Sequence, residues 1–126
     1  MGGVASQASN MLSKLYALNV YAVLAAAAII TIDVSSPSGA IAFSPNSVTA
    51  KQGDTVVFSW KAGGHTVVQG QGSNAACQPL TGGFFSGFQE PPTTFAVEVN
   101  NTDSIWFYCS TGGHCQVGMV GVINPP

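Results

Sequence analysis

With 126 residues, the chain is long enough for one domain and a targeting segment. Three Lys and Arg residues against five Asp and Glu residues give a net charge of −2, which leaves no basic patch to grip phosphates and argues against nucleic-acid binding. Aromatics, Val and Gly are plentiful and helix formers are scarce after residue 45, a mixture that favours a β-rich domain with tight turns.

The first apolar run covers residues 15–32, LYALNVYAVLAAAAIITI, broken only by Asn19 and Thr31. Lys14 precedes it and Asp33 follows it. A membrane-spanning helix needs about 20 apolar residues. The uninterrupted part, Val20 to Ile30, has the size of a secretory h-region instead. Ser38 and Ala40 supply small residues on the leader side of a cut before Ile41. Residues 1–40 are therefore expected to be a signal peptide, or an N-terminal membrane anchor if residues 15–32 are retained. The expected location is secreted and extracellular. A leader of that size exceeds the usual length of about 15–30 residues. Met11 is accordingly expected to be the true start, with MLSK as the charged n-region.

Residues 41–126 read as one domain of about seven short strands. AIAFSP and SVTAK open it, with a break at Pro45-Asn46. The turn QGD leads into TVVFSW, residues 55–60, and Gly63-Gly64 leads into HTVVQ, residues 65–69. A loop rich in Gly, Pro and Phe runs from Gly70 to Pro92. TFAVEVN alternates Phe95, Val97 and Val99 on one face, the period of a half-buried strand. NNTD turns the chain into SIWFYC, residues 104–109, and VGMVGVI closes the domain. Short strands at this spacing predict an all-β sandwich. Trp60, Trp106, Phe58 and Phe107 are expected in its core. The Asn100-Asn101-Thr102 sequence is a glycan acceptor motif if the chain is secreted.

The chemistry concentrates in WFYCSTGGHCQVGMVGVI, residues 106–123. Cys109, His114 and Met119 have the spacing Cys-x4-His-x4-Met, and His65 sits just past the Gly-Gly turn. Thiolate and thioether are soft ligands that suit copper(I), and imidazole suits both copper states. Two His, one Cys and a weak axial Met are the ligand pattern of a blue-copper electron-transfer centre. Both histidines of the chain, and its only methionine after residue 11, fall at these positions. The expected cofactor is one copper ion per chain, held by His65, Cys109, His114 and Met119. The cysteine count is odd. If Cys109 is a ligand, Cys77 and Cys115 remain as a pair, and a disulfide between them fits an oxidising compartment.

These stretches resemble the cupredoxins, in particular phytocyanins and the secreted cupredoxins of fungi. The resemblance rests on FSPNSVTAKQGDTVVFSW, GGHTVVQ, Cys77, GFFSGF and WFYCSTGGHCQVGMVGVINPP. It implies a Greek-key β-sandwich with copper at one end, the ligands His65, Cys109, His114 and Met119, and the Cys77–Cys115 disulfide. It also implies a one-electron carrier, a monomer, whose redox partner docks near His114. One departure stands out: many cupredoxins place Asn after the first ligand His, where it braces the Cys loop, and this chain has Thr66. A structural or copper-sequestering protein without a dedicated redox partner is the alternative. An oxidase is not expected, because Tyr108 and Ser110 flank Cys109 where such enzymes carry further histidines.

Overall fold

Eight strands make two four-stranded sheets in the computed structural model, which describes residues 26–126. In chain order they are β1 (Ile29–Val34), β2 (Phe43–Ser44), β3 (Ser47–Val48), β4 (Thr55–Trp60), β5 (Val68–Gln69), β6 (Thr94–Glu98), β7 (Ile105–Tyr108) and β8 (Val120–Ile123). One sheet has the order β2-β1-β4-β6 and the other β3-β8-β7-β5. The chain crosses between sheets after each of β2, β3, β4, β5 and β6, which gives the sandwich the expected all-β architecture. Among the described residues no helix is long and apolar enough to cross a membrane.

The seven strands expected from the sequence are all present; β4 spans the whole of TVVFSW and the other six are shorter than their runs. The eighth, β1, lies inside the segment read as the end of the leader. It pairs in parallel with β4 along its whole length, from Ile29↔Thr55 to Val34↔Trp60. Ile32 and Val34 point inward and are fully buried. Ile29–Val34 is therefore an interior strand of the sandwich, and a cut before Ile41 would remove it. The expected helix or signal segment upstream lies largely outside the described residues.

The period of two along β4 buries Val56, Phe58 and Trp60, while Thr55, Val57 and Ser59 face outward. Phe107 of β7 answers from the other sheet. Its ring meets Phe43 and Phe58 edge-on, each at 5.0 Å between centroids, the arrangement that aromatic quadrupoles favour. Gly121 lies opposite Phe107 in the β7–β8 ladder. A Cβ there would strike the Phe107 ring and come within 2.5 Å of the Asn46 carbonyl oxygen, so only glycine lets the ring enter the core.

Asp54 fastens β1 to the sandwich. One carboxylate oxygen accepts the Ala28 N–H at 2.8 Å and the other accepts the Lys51 N–H at 2.8 Å. The Lys51 ammonium lies 3.3 Å away. The Ala28 and Lys51 backbone bonds, and secondarily the Lys51 side chain, hold the Asp54 pKa below the ordinary carboxylate value. A carboxyl with a depressed native pKa stabilises the fold above the unfolded-state value, and that contribution disappears as pH falls through the native one. Acid unfolding should therefore be steeper below about pH 4 in the wild-type protein than in Asp54→Asn. Denaturation followed from pH 6 down to pH 2 checks this, and superimposable pH profiles would contradict it.

Candidate metal centre

The last inward turn of β7 delivers Cys109, and the chain then loops back into β8 within eleven residues. The loop is built on its own backbone. The Thr111 carbonyl accepts the His114 N–H at 3.0 Å, the His114 carbonyl accepts the Met119 N–H at 2.9 Å, and the Met119 carbonyl accepts the Cys109 N–H at 3.1 Å. Gly118 makes the return possible with φ +111°, a conformation that L side chains rarely adopt. These bonds set the Cys-x4-His-x4-Met spacing in space: one residue at the strand end, one at the loop apex and one at the re-entry.

His65 comes from the other side, between β4 and β5. Its carbonyl accepts the indole N–H of Trp60 at 3.0 Å and the Gln89 N–H at 3.1 Å. Ser86 continues the clamp: its hydroxyl accepts the Val67 N–H at 2.7 Å and its own N–H donates to the Val67 carbonyl at 2.9 Å. The Gly70–Pro92 loop, read from sequence as irregular, thus presses residues 84–89 against the His65 segment. Trp60 was expected only as core. Its buried indole does fill the core, yet its N–H also needs an acceptor, and that requirement ties it to the ligand backbone. Ser86 lies within the GFFSGF stretch that carries the resemblance, but nothing in the sequence pattern assigned it or Gln89 a role, because both act on a distant segment.

The donor atoms converge. Cys109 Sγ lies 3.8 Å from His65 Nδ1 and 3.5 Å from His114 Nδ1. All three ligand atoms fall within 4.8 Å of one another. Donors at metal–N and metal–S bond lengths of about 2.0–2.3 Å around one ion stand roughly 3.5–4 Å apart when arranged as a triangle, so the cluster has the dimensions of a metal site. Cys109 is fully buried and is the one cysteine outside a disulfide. Burial, then the nearby charge of His114, pushes the His65 pKa below the ordinary imidazole value. That favours the neutral ring, the form that donates to a metal. Met119 is fully buried in the same apolar cluster as Cys109. His114 is only half-buried and carries the site to the surface.

Thr66 takes the place of the brace. Its hydroxyl oxygen accepts the Ser110 N–H at 2.8 Å and lies 2.9 Å from the Ser110 hydroxyl. Its backbone N–H approaches Cys109 Sγ at 3.5 Å and its hydroxyl at 3.9 Å. One side chain therefore stitches the His65 segment to the Cys109 loop. Behind the site, the Cys77–Cys115 disulfide joins the long loop to the ligand loop, with Cα atoms 5.9 Å apart and a sequence separation of 38. Closing a loop of that length stabilises by about 4 kcal/mol on the chain-entropy estimate. The bridge packs with Val68 and Tyr108 in a second small core.

A family model for copper binding proteins of the plastocyanin/azurin family matches residues 30–124. A probable GPI-anchored cupredoxin of Arthroderma benhamiae is 39% identical over 103 residues, covering 82% of this chain and 54% of that one. An extracellular serine-rich protein of the same fungus is 37% identical over 115 residues, covering 86% and 44%. The chain thus spans about half the length of these curated relatives. Among solved structures, oxidised plastocyanin from Dryopteris crassirhizoma superposes with a TM-score of 0.56 at 21% identity, covering 74% of this chain and 96% of that one. Reduced auracyanin from Roseiflexus castenholzii gives 0.58 at 18%, covering 79% and 97%. At these identities the solved structures speak for the fold. The family match covers the whole sandwich, from β1 through the last strand, and the converging His65, Cys109 and His114 donors fit one copper ion. The chain belongs to the copper-binding proteins of the plastocyanin/azurin family.

Proposed function

We propose that this chain is a secreted one-electron carrier with a blue copper centre. One observation carries the reading: His65 and Cys109 are buried while His114 reaches the surface, so a closed donor set has a single exposed edge. Copper held by a thiolate and imidazoles supplies a one-electron couple. The protein's part is to keep the donors in one arrangement. The backbone bonds of the 109–119 loop, the Thr66 stitch and the Trp60 bond to the His65 carbonyl each fix a different donor. We assign Met119 the role of a weak fourth donor, which would hold the copper ion through its thioether, because that side chain is buried in the same cluster as Cys109.

The surroundings favour exchange of electrons over turnover of a substrate. Tyr108 and Ser110 flank Cys109, and the chain has two histidines in all, too few for a further copper cluster. A redox partner would dock at the His114 end. Exposed Phe88 beside Gly64 and exposed Val117 within the ligand loop give that end apolar contacts. The chain holds only eight charged residues, a composition that favours an apolar encounter over electrostatic steering. The reading is of a single-copy carrier.

The extracellular reading draws on the apolar run ahead of the domain, on the disulfide, and on relatives whose names place them at the cell surface or outside it. A leader would have to end ahead of Ala28. Ala28 gives its N–H to Asp54 and takes the Thr55 N–H on its carbonyl at 3.0 Å, so a later cut would remove these ties or cut into β1.

Protein-film voltammetry tests the carrier role. A reversible one-electron wave with fast exchange is expected, and sluggish exchange would favour sequestration. In the same measurement Met119→Gln should lower the potential, since a harder oxygen favours copper(II), and Met119→Leu should raise it. Equal potentials in all three proteins would remove Met119 from the site.

Thr66→Val provides a separate check. It strips the hydroxyl from Cys109 Sγ, leaving the thiolate a stronger donor to copper(II), and should lower the potential. It also leaves the Ser110 N–H without its acceptor, which should cost the copper-free protein about 1 kcal/mol of stability. Thr66→Ser should retain both properties, and a Thr66→Val protein identical to wild type in both would contradict the brace.

A further inference from the structure

We infer that Asn100 is an N-glycosylation site, so that the mature protein carries an oligosaccharide at the pole opposite its metal centre. The inference rests on the extracellular reading above. Asn100-Asn101-Thr102 is the chain's only Asn-x-Ser/Thr sequence, and neither Asn101 nor the following Asp103 is proline. The structure puts it where a transferred glycan can stay. The turn between β6 and β7 runs from Val99 to Ser104, and residues 100–104 are all exposed.

The turn is held by the residues around the acceptor. Val99 is buried, gives its N–H to the Asp54 carbonyl at 2.9 Å and accepts the Gly53 N–H at 2.8 Å. Asn101 accepts the Asp103 N–H on its side-chain oxygen at 2.9 Å. The period of two at the end of β6 then turns Asn100 outward beside buried Val99. Asn100 also borders a groove of about 530 Å³ at the open edge of the sandwich, lined in part by Phe84, Val97 and Ile105. The first sugars thus have room beside the protein without displacing a packed side chain.

The topology separates this turn from the ligands. Ser104 leads into one end of β7 and Cys109 follows the other, a span of roughly 17 Å at the rise of an extended strand. β8 runs antiparallel beside it, beginning next to Met119 and ending at Ile123 opposite Ile105. A glycan at Asn100 leaves the His114 end clear for a partner. It also supplies hydration to a chain that carries few charges of its own.

The acceptor reaction needs an oligosaccharide carried on a lipid diphosphate and the membrane transferase that uses it. The Asn100 amide nitrogen bonds to the anomeric carbon, whose bond to the diphosphate oxygen breaks. The lipid diphosphate leaves with the electron pair, and the amide proton passes to a base of the transferase.

The test is secretion of the full chain from a eukaryotic host, once with its own N-terminus and once with an exogenous signal ahead of Met1. Intact mass is read before and after peptide-N-glycosidase, and peptide mapping reads residue 100. The expected result is loss of a glycan mass, with Asp recovered at position 100. Asn100→Gln and Thr102→Ala should be exported without that mass, and Thr102→Ser should keep it. Exported, folded protein with unmodified Asn100 would overturn the inference. Export only with the exogenous signal would overturn the extracellular reading of this chain, while the exported sample still reports on Asn100.

Discussion

A backbone hydrogen bond from the Cys109 N–H to the Met119 carbonyl closes the ligand loop on itself. It is the first rung beyond the β7–β8 ladder, so the sheet that positions Phe107 in the core also sets the distance between Cys109 and Met119. Everything else at the site braces that loop. The His114 carbonyl takes the Met119 N–H, Thr66 holds Ser110, and the disulfide holds Cys115. The donors gather because two neighbouring strands end together, and the gathering costs little further ordering once the strands have paired.

How much of this could be read in the sequence depended on whether the signal was local. The ligand set was legible because Cys109, His114 and Met119 recur at five-residue intervals, and His65 is the one other histidine of the chain. Strands β4 and β7 were legible from alternation and aromatic content. β1 was not, because a buried strand and a secretory h-region share the same composition. The Ile-Ile-Thr-Ile of residues 29–32 continues an alanine-rich run without a break, and only its parallel pairing with β4 marks it as a strand. The braces were also hidden. Ser86 and Gln89 act on backbone groups about 20 positions away in sequence, Gln89 through its own N–H and Ser86 through both its N–H and its hydroxyl, and no local pattern announces so distant a contact.

The two poles of the sandwich have different tasks. At one, the ends of β4 and β7 and the start of β8 present His65, Cys109 and Met119, with His114 as the half-exposed member. At the other, Asp54 ties Ala28 and Lys51, and Asn124 accepts the Ala50 N–H at 2.8 Å. Stability at the second pole rests on polar side chains bonded to backbone, whereas the metal pole rests on buried aromatics and backbone rungs. Trp60 belongs to both the core and the ligand clamp, which makes it the residue through which packing most directly reaches the donors.

The account stands or falls on whether Cys109 binds copper as a thiolate within a site for one ion. The direct measurement is a copper(II) titration of the copper-free protein followed by visible absorption, with Cys109→Ser alongside. The account predicts an intense thiolate-to-copper band that grows to one equivalent and stops, and that is missing from the variant. A band of equal strength in Cys109→Ser, or none in the wild-type protein, would contradict it.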